Sequence, residues 1–341
     1  WNFRNLERIY PTAPVYRDGA VRELNRREDP RIGSAMVRTG AGESTFAELI
    51  EGPHTTVMGI VIAHRGQIVF ERYPRMQPHE KPIYWSVSKV LASALIGILQ
   101  AEGRIDIDKP VSTYVPRLAK SSFGPITVRN VADMAAGLNC LEEYEDKSSC
   151  YYRYSVTVGD GFFEHNSPGD PYAMLEALKV DSFAPQGTAW AYSGVNTFVL
   201  GWIVEEVTGM PFQDAVSRWI WTRMGAHSDA AFLAPRYGVA NMHGGLLARL
   251  EDVVRFGMLF TPAAKKLGAE DIIPASYIRY LMHGGNPDLL KNSRWGDIRS
   301  EGVRHALSQW DRIFENDNLY KGGWAGQGLL VNPRLDLVAV Y

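Results

Sequence analysis

The chain has 341 residues, 45% of them hydrophobic and 22% charged, an ordinary balance for a globular protein with a sizeable core. Its formal net charge is −2, with Lys and Arg scattered, which gives no electrostatic reason to expect nucleic acid or an anionic membrane as partner. No apolar run approaches the roughly 20 residues needed to cross a bilayer, so no membrane insertion is expected.

Residues 1–54 are rich in Arg, Glu and Pro with little periodicity. They are read as a wrapping arm, apart from a short helix over 45–50. An apolar run over 57–63, the turn residues His64, Arg65 and Gly66, and a return over 67–72 predict a hairpin. Next, Tyr84-Trp85-Ser86-Val87-Ser88-Lys89 leads into an apolar segment over 90–101. Its apolar residues go all round the cylinder, as in a helix buried inside a domain, and Gly103 stops it. Three residues make nearly one helical turn, so Ser86 and Lys89 share a face. A serine hydroxyl is a poor nucleophile until a base takes its proton, and an adjacent amine with a lowered pKa can do so. Four letters with two fixed occur by chance about once in a chain of this length. The lysine is the more telling residue, because a buried ammonium is costly without a role or a partner; the alternative is a lysine that snorkels to solvent.

Residues 106–116 read as a Pro-punctuated loop, and Thr127 as the N-cap of a helix over 128–136 closed by Gly137. From 138 to about 181 the chain looks irregular and is crowded with aromatic residues. Such loops commonly line or cover a pocket, which makes Tyr144 and Tyr152 candidate substrate-binding residues, with packing beneath the loop as the alternative. Cys140 and Cys150 bracket a polar stretch there. They form either a disulfide worth on the order of 3 kcal/mol, which points to a periplasmic or secreted protein, or two free thiols of a cytosolic enzyme. The acidic run 142–146 either receives a cationic substrate end or is a solvated loop.

An extended stretch over 185–192 ends at Tyr192, and Ser193 caps a helix that stops at Thr208-Gly209. Further helices are predicted over 212–224, 250–260 and 275–282. His243, beside Gly244 and Gly245, is a loop histidine or a border of the site. A last β pair, 328–331 and 335–340, surrounds an Asn332-Pro333 turn. Strands at both ends with a largely helical middle predict an α+β protein: an antiparallel sheet from both chain ends, flanked by helices, with an inserted mainly helical lobe. The α/β part covers about 55–110 and 300–341, and the lobe about 111–299. No Gly-x-Ser-x-Gly elbow and no His-Glu-x-x-His is present, the eight histidines are dispersed, and two cysteines alone make no zinc site.

Three boxes stand in order: Ser86-Val87-Ser88-Lys89 opening a buried helix, Trp190-Ala191-Tyr192-Ser193 with an exposed tyrosine, and Lys321-Gly322-Gly323 before a C-terminal strand. Together they resemble the serine β-lactamase and penicillin-binding-protein superfamily. The tyrosine box is similar to that of its class C branch. The text of 99–106, 196–205, 244–246 and 326–328 resembles the 6-aminohexanoate-dimer hydrolases and related esterases. The likeness spans roughly 55–341 and implies a β-lactamase/transpeptidase-like domain with no metal or organic cofactor. It implies an acyl-enzyme on Ser86, with Lys89 and Tyr192 as general base and acid in an order it does not decide. It also implies an oxyanion hole from the backbone N–H groups of Ser86 and Trp324, and substrate contacts at Lys321, Gly322 and Gly323. A further strand and helix beyond Tyr341 would complete the family pattern.

Two departures sharpen the expectation. The family's Tyr-x-Asn reads Tyr192-Ser193-Gly194, removing an amide that contacts the substrate or supports the lysine. Its Lys-Thr-Gly has Gly322 for threonine, removing a hydroxyl that holds a carboxylate, while Lys321 either still supplies charge or is a solvated strand-edge residue. The expected activity is therefore an amidase or carboxylesterase acting on a small or short-oligomer amide or ester. A DD-peptidase or weak β-lactamase is the nearest alternative, and a catalytically silent sensor of the same fold the alternative from another class.

Overall fold

The computed structural model describes residues 1–40, 42–294 and 300–341. The arm supplies β1 (Thr12–Val15), β2 (Asn25–Arg26) and the hairpin β3 (Met36–Thr39) and β4 (Gly42–Thr45). A helix, Phe46–Glu51, follows at once because Thr45 and Glu48 make a reciprocal capping box. The next hairpin is β5 (Ile60–His64) and β6 (Gln67–Arg72). Arg65 and Gly66 between them both take positive φ, 50° and 80°, as a two-residue hairpin turn requires.

The middle of the chain adds β7 (Ala230–Leu233) and β8 (Leu246–Leu247). Its end adds β9 (Val303–Leu307), β10 (Trp310–Phe314), β11 (Leu319–Gly322), β12 (Gly328–Asn332) and β13 (Leu337–Val340). The main sheet has eight strands in the order β2-β6-β5-β13-β12-β11-β10-β9. Its two chain ends meet where β13 pairs antiparallel with β5, Val338 opposite Ala63. The expected antiparallel sheet from both termini is thus present, with one parallel pair at its edge, β2 on β6. A three-stranded sheet, β1-β7-β8, ties the arm to the middle of the chain.

Helix Lys89–Ala101 is the core element: Lys89 through Leu99 are all buried. Each such Leu or Ile contributes roughly 1.5–3 kcal/mol by leaving water. It packs on helix Gly194–Thr208, which is buried from Gly194 to Val204, and on helix Ala275–His283. Gly97 lets the latter in, since a Cβ there would lie 2.6 Å from the Tyr277 ring. Among the described residues no helix is long and apolar enough to cross a membrane.

The structure corrects several local expectations. The stretch 138–181 is not irregular throughout. It holds helix Cys150–Val158, capped by Ser149, and helix Pro171–Glu176, capped by Asp170 with Pro171 in its first turn; these are start signals with a physical basis that the aromatic crowding obscured. The helix after Thr127 stops at Ala132. The one over 212–224 divides into Phe212–Val216 and a π-helical turn Ser217–Trp221. The loop 106–116 contains a 3-10 turn, Val111–Thr113. Strands β9 and β10 were not foreseen, and β7 and β8 fall in the stretch expected to be a helical lobe. That lobe's expected end, residue 299, lies outside the described residues.

Candidate active site

Ser86 sits in a 3-10 turn, Trp85–Ser88, that runs directly into the core helix. Trp85 has φ of 43°, a left-handed conformation that costs a bulky residue roughly 1–2 kcal/mol. Three hydrogen bonds hold the turn in place. Tyr84 N donates to Leu246 O (2.9 Å), Ser88 Oγ donates to Trp85 O (2.6 Å), and Leu246 N donates to Ser88 Oγ (3.0 Å). The second serine of the box is therefore a strut between the turn and β8, and Ser86 is left half-buried at the cavity wall.

Lys89 has no exposed surface. Its Nζ donates to Ser86 Oγ (3.0 Å) and to the backbone oxygen of His243 (2.9 Å), and Glu142 Oε1 lies 3.7 Å away. Burial pulls the amine down from its ordinary value to about 8, against the opposing charge of Glu142 and with help from Lys321. Near pH 8 a substantial fraction of this amine is neutral, the state that can accept a proton.

Tyr192 is buried, at 6% exposure, and not exposed as its box suggested. The Lys89 and Lys321 amines lie 4.9 and 4.6 Å from its ring centroid, and its hydroxyl is hydrogen-bonded to Ser86. Lys321 Nζ donates to the same hydroxyl at 3.1 Å and to Asp311 Oδ1 at 2.5 Å. Burial first, then the charges of Asp311 and Glu142, raise the phenol well above its ordinary value. The group therefore remains a proton donor over the working pH range. Lys321 is wholly buried, which removes the solvated strand-edge reading; burial lowers its pKa while Asp311 opposes that shift. Asp311 also accepts from Gly322 N at 3.0 Å, so one carboxylate fixes both β11 and its lysine.

One of the two glycine departures has a steric reason. A Cβ on Gly194 would lie 2.7 Å from His243 Cδ2 and 3.0 Å from the Tyr151 hydroxyl. The imidazole occupies the space into which a side chain at that position would grow. His243 is held by Tyr154 OH on Nδ1 (3.0 Å) and by Asp160 Oδ2 on Nε2 (3.0 Å). At Gly323, a Cβ would lie 2.5 Å from the Tyr84 carbonyl oxygen. This close approach sets β11 beside the Ser86 turn; at Gly322, the departure itself, a Cβ would meet the Tyr320 side chain, its hydroxyl at 3.1 Å.

These groups line a cavity of about 930 Å³. Ser86, Tyr192, Glu142, Tyr144, Asp160, His243, Asp311, Gly322, Gly323 and Trp324 are on its walls, and Leu6 and Tyr10 of the arm close one side. Trp324 is 67% exposed, stacks on Phe3 (centroids 6.2 Å apart) and meets Trp85 edge-on at 5.8 Å. Tyr152 is buried in helix Cys150–Val158 and is not among the lining residues. Among the described residues no group of three or more His, Cys, Asp or Glu could hold a metal ion.

Nothing in the sequence marks Asp311 as a site residue, and Glu142 stands out there only within an acidic run that either receives a cationic substrate end or is a solvated loop. The Glu142 side chain is only 6% exposed, and a disulfide between Cys140 and Cys150 closes the loop that carries it. Neither carboxylate sits in a box. Glu142 stands among acidic neighbours that look like any exposed loop, Asp311 stands in the unforeseen strand β10, and only the tertiary fold brings them to the cavity.

A family model described as Beta-lactamase matches residues 43–341. The chain is 29% identical over 343 residues to the 6-aminohexanoate-dimer hydrolase of Paenarthrobacter ureafaciens, covering 100% of this chain and 84% of that protein. Among solved structures, it is similar to a putative 6-aminohexanoate-dimer hydrolase from Bacillus anthracis, with a TM-score of 0.83 and 23% identity over 100% of this chain and 87% of that one. A class C beta-lactamase mutant shares the fold at a TM-score of 0.57 and 17% identity, over 83% of this chain and 85% of that one.

Proposed function

The chain belongs to the Beta-lactamase family, a family of serine hydrolases by its relatives, and from that membership we propose that it cleaves amide or ester bonds through an acyl-enzyme on Ser86. The observation that carries the reading is the wholly buried Lys89 amine 3.0 Å from the Ser86 hydroxyl. A fold has no structural need to place an ammonium there.

In this reading the neutral Lys89 amine takes the proton as Ser86 Oγ bonds to the carbonyl carbon. Tyr192, whose phenol stays protonated, hands a proton to the departing nitrogen or oxygen and is resupplied from Lys89 or Lys321. The Ser86 and Trp324 amides hold the oxyanion. Water then attacks the ester by the reverse proton path, releasing the acid and restoring Ser86. The preferred substrates are short amides or esters of an ω-amino acid, by analogy with the relative named for the 6-aminohexanoate dimer. His243 in the space beside Gly194, and the absence of a hydroxyl at Gly322, speak against a β-lactam as the natural substrate.

The test is turnover of p-nitrophenyl esters and of linear 6-aminohexanoate oligomers, alongside labelling by a fluorescent penicillin, each with Ser86→Ala. Ser86-dependent turnover without stable penicillin labelling is expected. Stable labelling without ester or amide turnover would favour a penicillin-binding peptidase, and no Ser86-dependent signal would refute the enzyme reading.

A further inference from the structure

Glu142 is one residue of an acidic run, yet its side chain is nearly as buried as Lys89. Its Oε2 accepts from the Tyr144 hydroxyl at 3.1 Å. Its Oε1 is out of water, makes no hydrogen bond, and lies 3.7 Å from Lys89 Nζ. A buried carboxylate oxygen without a hydrogen-bond donor is costly, and such a group is kept where the alternative arrangement costs more or where it has a task.

The geometry of the amine suggests that task. A neutral amine has two N–H bonds and one lone pair. The His243 backbone oxygen takes one N–H at 2.9 Å. If the second points to Glu142 Oε1, the lone pair is left facing Ser86 Oγ, 3.0 Å away. We infer that Glu142 is a positioning residue for the proposed reaction: its carboxylate orients the Lys89 amine toward Ser86, and the loop closed by Cys140 and Cys150 delivers it there. The inference rests on the reading of Ser86 and Lys89 given above.

The carboxylate also adds charge to a crowded field. Lys89 is faced by Asp311 from β10 and Lys321 from β11, by Asp160 after helix Cys150–Val158, and by Tyr192. Glu142 heads the charges acting on the amine and favours its protonated form. Replacing it with a neutral amide therefore makes the amine easier to deprotonate, and activity that needs the neutral amine survives to lower pH.

The experiment is the pH dependence of kcat/KM for a p-nitrophenyl ester in wild type, Glu142→Gln, Glu142→Asp and Ser86→Ala. Glu142→Gln keeps an N–H acceptor but not the charge, so its acidic limb is expected about 1 to 3 pH units lower with the plateau largely retained. Glu142→Asp keeps the charge but draws it back by one methylene. Its limb is expected near the wild-type position with a plateau lowered about tenfold or more. A merely structural Glu142 would lower the rate at every pH without moving the limb, and that result in Glu142→Gln overturns the inference. So does a Glu142→Asp profile that superimposes on wild type. Should Ser86→Ala retain activity, the fault lies with the proposed function, whatever the Glu142 profiles show.

Discussion

Lys89 has its entire side chain out of water and its amine within reach of a serine, a carbonyl, a carboxylate and a tyrosine ring. With its pKa lowered to about 8 by burial, the amine carries a proton below that pH and loses it above. A reaction that needs the neutral amine should therefore gain activity as pH rises through about 8, and a kcat/KM profile already level at pH 6 would contradict this. Tyr192 is expected to matter as a donor. Tyr192→Phe should lose roughly 10²- to 10⁴-fold in turnover, checked by steady-state kinetics, with a circular-dichroism melt close to wild type. The grouping of Ser86, Lys89 and Tyr192 was legible because spacing on a helix and three ordered boxes carry them. Asp311 and Glu142 were not: Glu142 stands in a loop and Asp311 in a strand, β10, that its sequence did not announce, and the surroundings of both are decided by elements far away in the chain.

Two elements set the geometry around these residues. The first is β11, whose approach to the Ser86 turn depends on Gly323. A methyl group there would stand 2.5 Å from the Tyr84 oxygen and force the strand outward. Because a misplacement of about 1 Å costs on the order of 100-fold in rate, Gly323→Ala should retain the far-UV spectrum while kcat/KM falls steeply. The second is the loop closed by the Cys140–Cys150 bridge. Its ten-residue separation corresponds to about 3 kcal/mol in the chain-entropy account. Reduction, followed by urea unfolding, should lower stability by about that amount. On the same scale, Gly194 does more than drop an amide from the tyrosine box. The glycine is what admits the His243 ring, and Gly194→Asn should lower the melting temperature as overpacking of about 1–3 kcal/mol does. The hairpin, the buried helix and the final strand pair were legible from alternation and apolar runs. The helices Cys150–Val158 and Pro171–Glu176 were not, because their caps stand in a stretch whose aromatic and polar residues show no helical period.

In the whole molecule, the main sheet is closed by β13 against β5, so Ser86, encoded just after the hairpin, and the β11 box, encoded near the end of the chain, share one sheet-and-helix frame. In the segment read as a wrapping arm, β1 and β2 join two different sheets, and Leu6 and Tyr10 become cavity wall. That contribution had no signal in a segment without periodicity. The proposed chemistry turns on acylation of Ser86. It is tested most directly by mass spectrometry of the intact protein, acid-quenched during turnover of a slowly hydrolysed p-nitrophenyl ester and then digested. A mass gain of one acyl group is expected, located on the peptide that contains Ser86 and absent from Ser86→Ala. An acyl group on another residue, or Ser86-independent turnover with no adduct, would contradict it.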